Sequence, residues 1–168
     1  MMIIVSGLPG SGKSYFAARL SKALGAEYIS SDLTRKAMDA MGQYAFEDKL
    51  NVYEEMARKT GESLRHGRSL VVDATFYRNE MRDLFLTLAK LLHEKVVYFE
   101  IVADEEIIME RLKLPRLDSD ADYSIYKLVK PQYEPLKLEH LVIESRNDNI
   151  DAMLRNGLHY IEEVNEGR

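Results

Sequence analysis

Gly7-Leu8-Pro9-Gly10-Ser11-Gly12-Lys13-Ser14 has the spacing GxxxxGK[ST], a set of residue types suited to holding a run of phosphates. Its glycines let successive backbone N–H groups turn inward toward phosphate oxygens with no Cβ in the way. Lys13 is long enough to reach the outer phosphates, and the Ser14 hydroxyl is a hard oxygen ligand suited to Mg²⁺. Met2-Ile3-Ile4-Val5 before the loop reads as a buried strand, and Tyr15 to Leu20 after it continues as a helix. The helix N-terminus adds partial positive charge where the phosphates would lie, and Tyr15 completes the nucleotide-side set. The expected ligand is a nucleoside triphosphate together with Mg²⁺.

Phosphoryl transfer to an alcohol also needs a group that positions the attacking hydroxyl and accepts its proton. In a parallel sheet that group belongs just beyond the carboxyl end of a strand. Ser30-Ser31-Asp32-Leu33-Thr34-Arg35 occupies such a place, with Asp32 and Arg35 one helical turn apart and able to face one pocket. The spacing is equally that of a helix cap, with Ser31 or Asp32 as the capping residue.

Asp73 ends the apolar run Leu70-Val71-Val72, where a carboxylate can serve the metal or its water shell; capping is again the alternative. Asp104 follows another strand-like run but is read as a helix cap, because Glu100 interrupts that run. Arg111, Lys113 and Arg116 lead into the polar stretch Leu117 to Asp122, so 111–123 is expected to form a small lid with cations over the triphosphate. A solvated turn with paired charges is the other reading. Tyr123, Tyr126, Lys130 and Tyr133 share one helical face that suits core packing or stacking on bases. His66, His93, His140 and His159 stand isolated, with no ligand or triad spacing.

The elements that must position these groups alternate between strand and helix, the pattern of a parallel sheet wrapped by helices. Strands are expected at Met2–Val5, Glu27–Ser30, Ser69–Asp73, Lys95–Val102 and Leu141–Ile143. Helices are expected from Asp32 to Met41, Phe46 to His66, Arg78 to His93, Asp104 to Leu112, Tyr123 to Leu138 (interrupted by Pro131) and Ile150 to Val164. Met81, Leu84, Phe85, Leu88, Leu91 and Leu92 form the expected stripe of the third of these. The fold class is α/β: a three-layer α/β/α arrangement on a five-stranded parallel sheet, of the nucleoside-monophosphate-kinase type.

With 168 residues the chain is expected to form a single domain that spans 1–168. It has no cysteine, which excludes disulfides and thiolate metal sites and suits a reducing cytoplasm. No apolar stretch approaches a membrane span. A net charge of −5 argues against a broad nucleic-acid footprint.

GLPGSGKS, SSDLTRK, VVDATF and SDADYSIYKLVKPQYEPL, in this order, resemble P-loop kinases grouped around polynucleotide 5′-hydroxyl kinases and zeta-type toxins. The resemblance implies Asp32 as general base toward the acceptor hydroxyl and Arg35 as a contact to the acceptor-side phosphate. It implies Lys13 and Ser14 as phosphate and Mg²⁺ contacts, Asp73 as the acidic residue on the metal side, and Arg111 as a lid arginine. Arg116 departs from the pattern, lying five residues after Arg111 with Pro115 between them. The implied activity is transfer of the γ-phosphate of ATP to a hydroxyl, on a nucleic acid 5′ end or on a small molecule such as a nucleoside, sugar or antibiotic. The reading from another class is a nucleotide-binding regulator with slow ATPase activity, which has no need of a carboxylate aimed at an alcohol.

Overall fold

Why the chain folds around its first strand is visible in that strand's alternation. In β1 (Met2–Ser6) every residue is buried. Met2 and Ile4 enter one core while Ile3 and Val5 enter another, as the period of two requires. A strand buried on both faces must be flanked by layers on both sides. A computed structural model of the chain describes residues 1–40, 45–113 and 122–167. It shows a five-stranded, wholly parallel sheet in the order β2-β3-β1-β4-β5. The other strands are β2 (Glu27–Ser30), β3 (Leu70–Asp73), β4 (Val96–Val102) and β5 (Leu141–Glu144).

The helices are α1 (Lys13–Leu24), α2 (Ser31–Ala37), α3 (Phe46–Arg65), α4 (Asn79–Leu91), α5 (Glu105–Leu112), α6 (Tyr123–Val129) and α7 (Ile150–Glu166). On one face of the sheet α3 and α4 supply Val52, Met56, Met81 and Phe85. On the other, α1 and α7 supply Phe16, Leu20, Met153 and Ile161. Burying each such side chain stabilises the fold by about 1.5–3 kcal/mol. Edge-to-face contacts, such as Phe16 on Phe99 at 5.5 Å, add roughly 0.5–1.5 kcal/mol. The expected α/β class and five-stranded sheet are therefore the observed ones.

Two helical expectations need correction. The helix from Tyr123 stops at Val129, a 3₁₀ turn covers Lys130–Gln132, and Tyr133 is already extended. Pro131 has no N–H to continue the ladder, and the chain beyond it spends its apolar Leu136 and Leu138 on the α3/α4 core instead. Leu91 is 71% exposed rather than part of the α4 stripe. Its place inside is taken by Ala89 and, against expectation for a cation, by Arg82.

Among the described residues no helix is long and apolar enough to cross a membrane.

Candidate active site

The order of the strands sets where the site must be. From β1 the chain crosses to one side for β2 and β3, then returns past β1 to β4 and β5, so the crevice opens at the carboxyl end of β1. Residues 7–12 turn there into the N-terminus of α1. The turn demands glycine. Gly7, Gly10 and Gly12 have φ of +150°, +80° and +92°. A Cβ on Gly7 would lie 2.4 Å from the Ile101 carbonyl oxygen, and one on Gly10 2.9 Å from Ile108. The Ser11 N–H donates to the Leu8 carbonyl at 3.1 Å and Pro9 is buried, so the loop is held from below.

Above the loop lies a cavity of about 740 Å³. Gly10, Gly12, Lys13, Ser14, Tyr15, Asp32 and Arg111 all line it, so seven of the expected residues meet in one space. Tyr15 is 54% exposed and carries the Arg19 guanidinium 3.3 Å over its ring. Arg111, in the last turn of α5, donates from Nη1 to the Gly10 carbonyl at 3.2 Å and from Nε to Asn147 Oδ1 at 3.1 Å. It is thus docked on the phosphate loop, and burial lowers its basicity. Arg116, and with it most of the lid expected over 111–123, lies outside the described residues.

Asp32 is not a cap. The cap of α2 is Ser30, whose Oγ accepts from the Leu33 N–H at 3.2 Å; neither Ser31 nor Asp32 fills that place. Asp32 Oδ1 instead accepts from Arg35 Nη1 at 3.2 Å. Arg35 is 5% exposed, whereas the Asp32 side chain keeps 32% of its surface open. A buried guanidinium therefore holds a carboxylate that still reaches the cavity.

Asp73 ends β3 opposite Val5, one strand from the loop. It is 2% exposed, its Oδ2 accepts the Tyr28 hydroxyl at 2.7 Å, and its Oδ1 has no hydrogen-bond partner among the described residues. Burial pushes its carboxyl above the usual carboxylate range, while the charge of Lys13 and the hydroxyls of Tyr28 and Ser14 pull it back. A buried lone pair without a donor, beside a serine hydroxyl, is what a hydrated hard cation would satisfy, so these residues fit Mg²⁺. Capping does not apply to Asp73, since α4 begins only at Asn79. Asp104 does sit at the N-cap of α5, although its side chain makes no cap bond.

The tyrosine row divides. Tyr126 is buried, Tyr123 stacks on it at 5.5 Å, and the Tyr133 hydroxyl donates to Ser6 Oγ at 3.5 Å, while the Lys130 ammonium pairs with Glu105 at 2.8 Å. The row is packing. Sequence reasoning missed Tyr28, Ser145 and Asn147, all of which line the cavity. The place of Ser145 and Asn147 just past the carboxyl end of β5 was a usable signal. His140, assigned nothing, stands 3.6 Å from Glu100, which lies within β4 rather than interrupting it.

A parallel sheet in this order, helices on both faces and a GxxxxGK[ST] loop after the first strand define a P-loop kinase fold. The chain belongs to the AAA domain family, whose profile matches residues 2–136. It is 28% identical over 123 residues to an uncharacterised protein of Mycobacterium tuberculosis, an alignment covering 66% of this chain. The chain spans 25% of that relative's length. The fold is similar to a gluconokinase from Sinorhizobium meliloti, with a TM-score of 0.76 at 16% identity over 99% of this chain and 94% of that one. It is also similar to the APS kinase CysC of Mycobacterium tuberculosis, solved with AMPPNP and APS, with a TM-score of 0.73 at 18% identity over 96% of each chain.

Proposed function

We propose that this protein is an ATP- and Mg²⁺-dependent kinase that transfers the γ-phosphate to the hydroxyl of a small molecule. The observation that carries this reading is Asp32: relieved of capping by Ser30, anchored by Arg35, and lining the same cavity as Lys13 and Ser14. A protein that only bound nucleotide would need the loop but no such carboxylate. Asp32 accepts the proton of the acceptor hydroxyl as its oxygen bonds to the γ-phosphorus, while the bond to the β-γ bridging oxygen breaks and ADP departs. Free backbone N–H groups of the phosphate loop and Lys13 hold the phosphates in line, and Arg111 faces the charge that develops on the transferred group. Ser14 would hold Mg²⁺ and Asp73 its water shell, and the ion when bound would neutralise charge on the triphosphate.

Similarity to a gluconokinase and to an APS kinase favours a small acceptor over a polynucleotide 5′ end. A net charge of −5 weighs the same way. The absence of cysteine suits a reducing cytoplasm, and residues 1–168 are read as one kinase domain.

Transfer of radiolabelled γ-phosphate to a panel of sugars, nucleosides, aminoalcohols and 5′-hydroxyl oligonucleotides tests the reading. A labelled product from a small alcohol is expected. ATP binding with no transfer to any alcohol would move the protein to the regulator class.

A further inference from the structure

Near Arg35 of α2, a second set of charges converges from α3 and from the start of α4, elements that sequence separates. Lys49 of α3 is only 9% exposed, and no carboxylate pairs with its ammonium among the described residues. The ammonium lies 5.0 Å over the ring of Tyr77. Arg78, at the start of α4, sets its guanidinium 4.6 Å over Phe46 and 5.8 Å over the same Tyr77 ring. It donates to the Gln132 side chain at 2.9 Å, and no carboxylate pairs with it among the described residues. Burial lowers the basicity of Lys49, and the nearby charges of Arg35 and Arg78 lower it further. Like charges gathered in a partly desolvated place are unfavourable by themselves. Surface lysines turn outward to avoid that cost, and Lys49 does not.

The backbone is also held to keep them there. Phe76, between β3 and α4, has φ of +49°, a left-handed conformation unusual for an aromatic residue. Two bonds fix it: the Phe76 N–H donates to the Tyr53 hydroxyl at 2.9 Å, and Arg82 Nε donates to the Phe76 carbonyl at 2.7 Å. Arg82 is 1% exposed and spends its remaining donors on Asn79 and on the carbonyls of Glu134 and Pro135. This strained, doubly fastened turn presents Tyr77 and Arg78 toward Lys49. Strain that neighbouring contacts over-determine is characteristic of ligand clamps.

Resting on the kinase reading above, we propose that Lys49 and Arg78, beside Arg35, form a subsite for a phosphomonoester carried by the acceptor, so that the substrate is a small phosphorylated alcohol. Lys49 and Arg78 bring two positive charges that no carboxylate pairs among the described residues. A phosphomonoester brings about −1.5 to −2 at neutral pH, a match in charge. The fork of Arg78 can take two of its oxygens while Lys49 acts as a point charge. Asp32 is paired to Arg35, whose charge also acts on Lys49, so the free hydroxyl of the same molecule can meet Asp32.

The test is calorimetry of inorganic phosphate against protein whose phosphate loop is already filled with AMPPNP and Mg²⁺. Wild-type protein should bind phosphate, and Lys49→Met and Arg78→Gln should each weaken that binding roughly tenfold or more. Lys49→Met keeps the methylene packing, so without phosphate it should melt higher than wild type, an outcome no purely structural lysine would give. In transfer assays, glycerol 3-phosphate, glucose 6-phosphate and a nucleoside 3′-phosphate should each show a KM at least tenfold below that of the unphosphorylated parent. Lys49→Met should abolish the difference. Nucleotide-loaded wild-type protein that ignores phosphate, or a Lys49→Met variant that binds it as wild type does, would overturn the subsite. An oligonucleotide preferred over every small ester would overturn the small-molecule assignment. Failure of AMPPNP itself to bind would overturn the kinase reading on which the subsite rests.

Discussion

The Tyr28 hydroxyl donates to Asp73 Oδ2 at 2.7 Å, a bond between two adjacent strands that leaves the opposite carboxylate oxygen without a hydrogen-bond partner among the described residues. Register makes this possible. Ile29 faces Val72 and Ser30 faces Asp73, so a tyrosine two residues before Ser30 reaches across to its neighbour's last residue. The bond fixes the rotamer of a carboxylate that burial would otherwise penalise.

That penalty yields a prediction with a definite sign. Asp73 is raised in the folded protein, so the native state holds its proton more firmly than the unfolded chain, where aspartate titrates near about 3.9. The stability this group contributes is present below that value and is lost as pH rises through the folded one. Asp73→Asn should therefore melt higher than wild type at neutral pH in the absence of Mg²⁺, with the gain shrinking toward about pH 4, where both side chains are neutral. Thermal unfolding as a function of pH checks it, and an Asn variant that is less stable across the whole range would contradict the burial argument. Mg²⁺-supported transfer by the same variant should fall steeply.

Asp32→Asn separates chemistry from scaffolding. Ser30 caps α2, so the amide should cost little stability. It can still accept from Arg35 but cannot take a proton, and transfer should drop about a hundredfold or more with ATP affinity nearly intact. Transfer at the wild-type rate would leave Asp32 with only its ion pair to explain it.

Gly12→Ala probes the loop. A Cβ at φ +92° would sit 2.5 Å from Ser145 Oγ and 3.1 Å from Arg111 Nη1. The backbone strain alone is on the order of 1–3 kcal/mol. For a chain of this size each kcal/mol lowers Tm by roughly 2–4 °C, so a drop of several degrees is expected, together with loss of nucleotide binding. Unchanged calorimetric ATP binding would show that the loop need not keep this shape.

Gly157→Ala sets two effects against each other inside α7. Helix propensity favours alanine by about 1 kcal/mol. The new methyl, however, would come 2.9 Å from Phe16 Cζ in a core where Phe16 is fully buried and edge-on to Phe99. Overpacking of that kind costs roughly 1–3 kcal/mol, so the variant should be less stable than wild type by denaturant unfolding.

What the sequence could show follows from which signals are local. The phosphate loop and all five strands are legible because each is marked within ten residues by glycines or by a short apolar run bounded by polar ones. The helix beyond Pro131 was misread because periodicity continues through Tyr133 and Leu138 although the backbone no longer does. Arg82 was unreadable as a core residue: a charge within an apolar stripe looks solvent-facing until the carbonyls of Phe76, Glu134 and Pro135 are found around it. The same holds for Lys49 and Arg78, which only folding brings near Arg35.

Arg111 provides the last test, because its present bonds and its proposed role use the same atoms. Its Nη1 is held by the Gly10 carbonyl and its Nε by Asn147, so the guanidinium is already ordered at the edge of the cavity before any nucleotide arrives. A group held in place needs little reorganisation as charge develops, which is where electrostatic stabilisation is most effective. Arg111→Ala should therefore lower kcat by roughly a hundredfold or more while KM for ATP rises much less. Arg111→Lys should rescue only part of the loss, since a point charge cannot keep both hydrogen bonds. Steady-state kinetics with saturating acceptor distinguish the cases. A KM that rises with kcat unchanged would make Arg111 a ground-state nucleotide contact, and a loss shared equally with Asn147→Ala would make it a prop for the loop after β5.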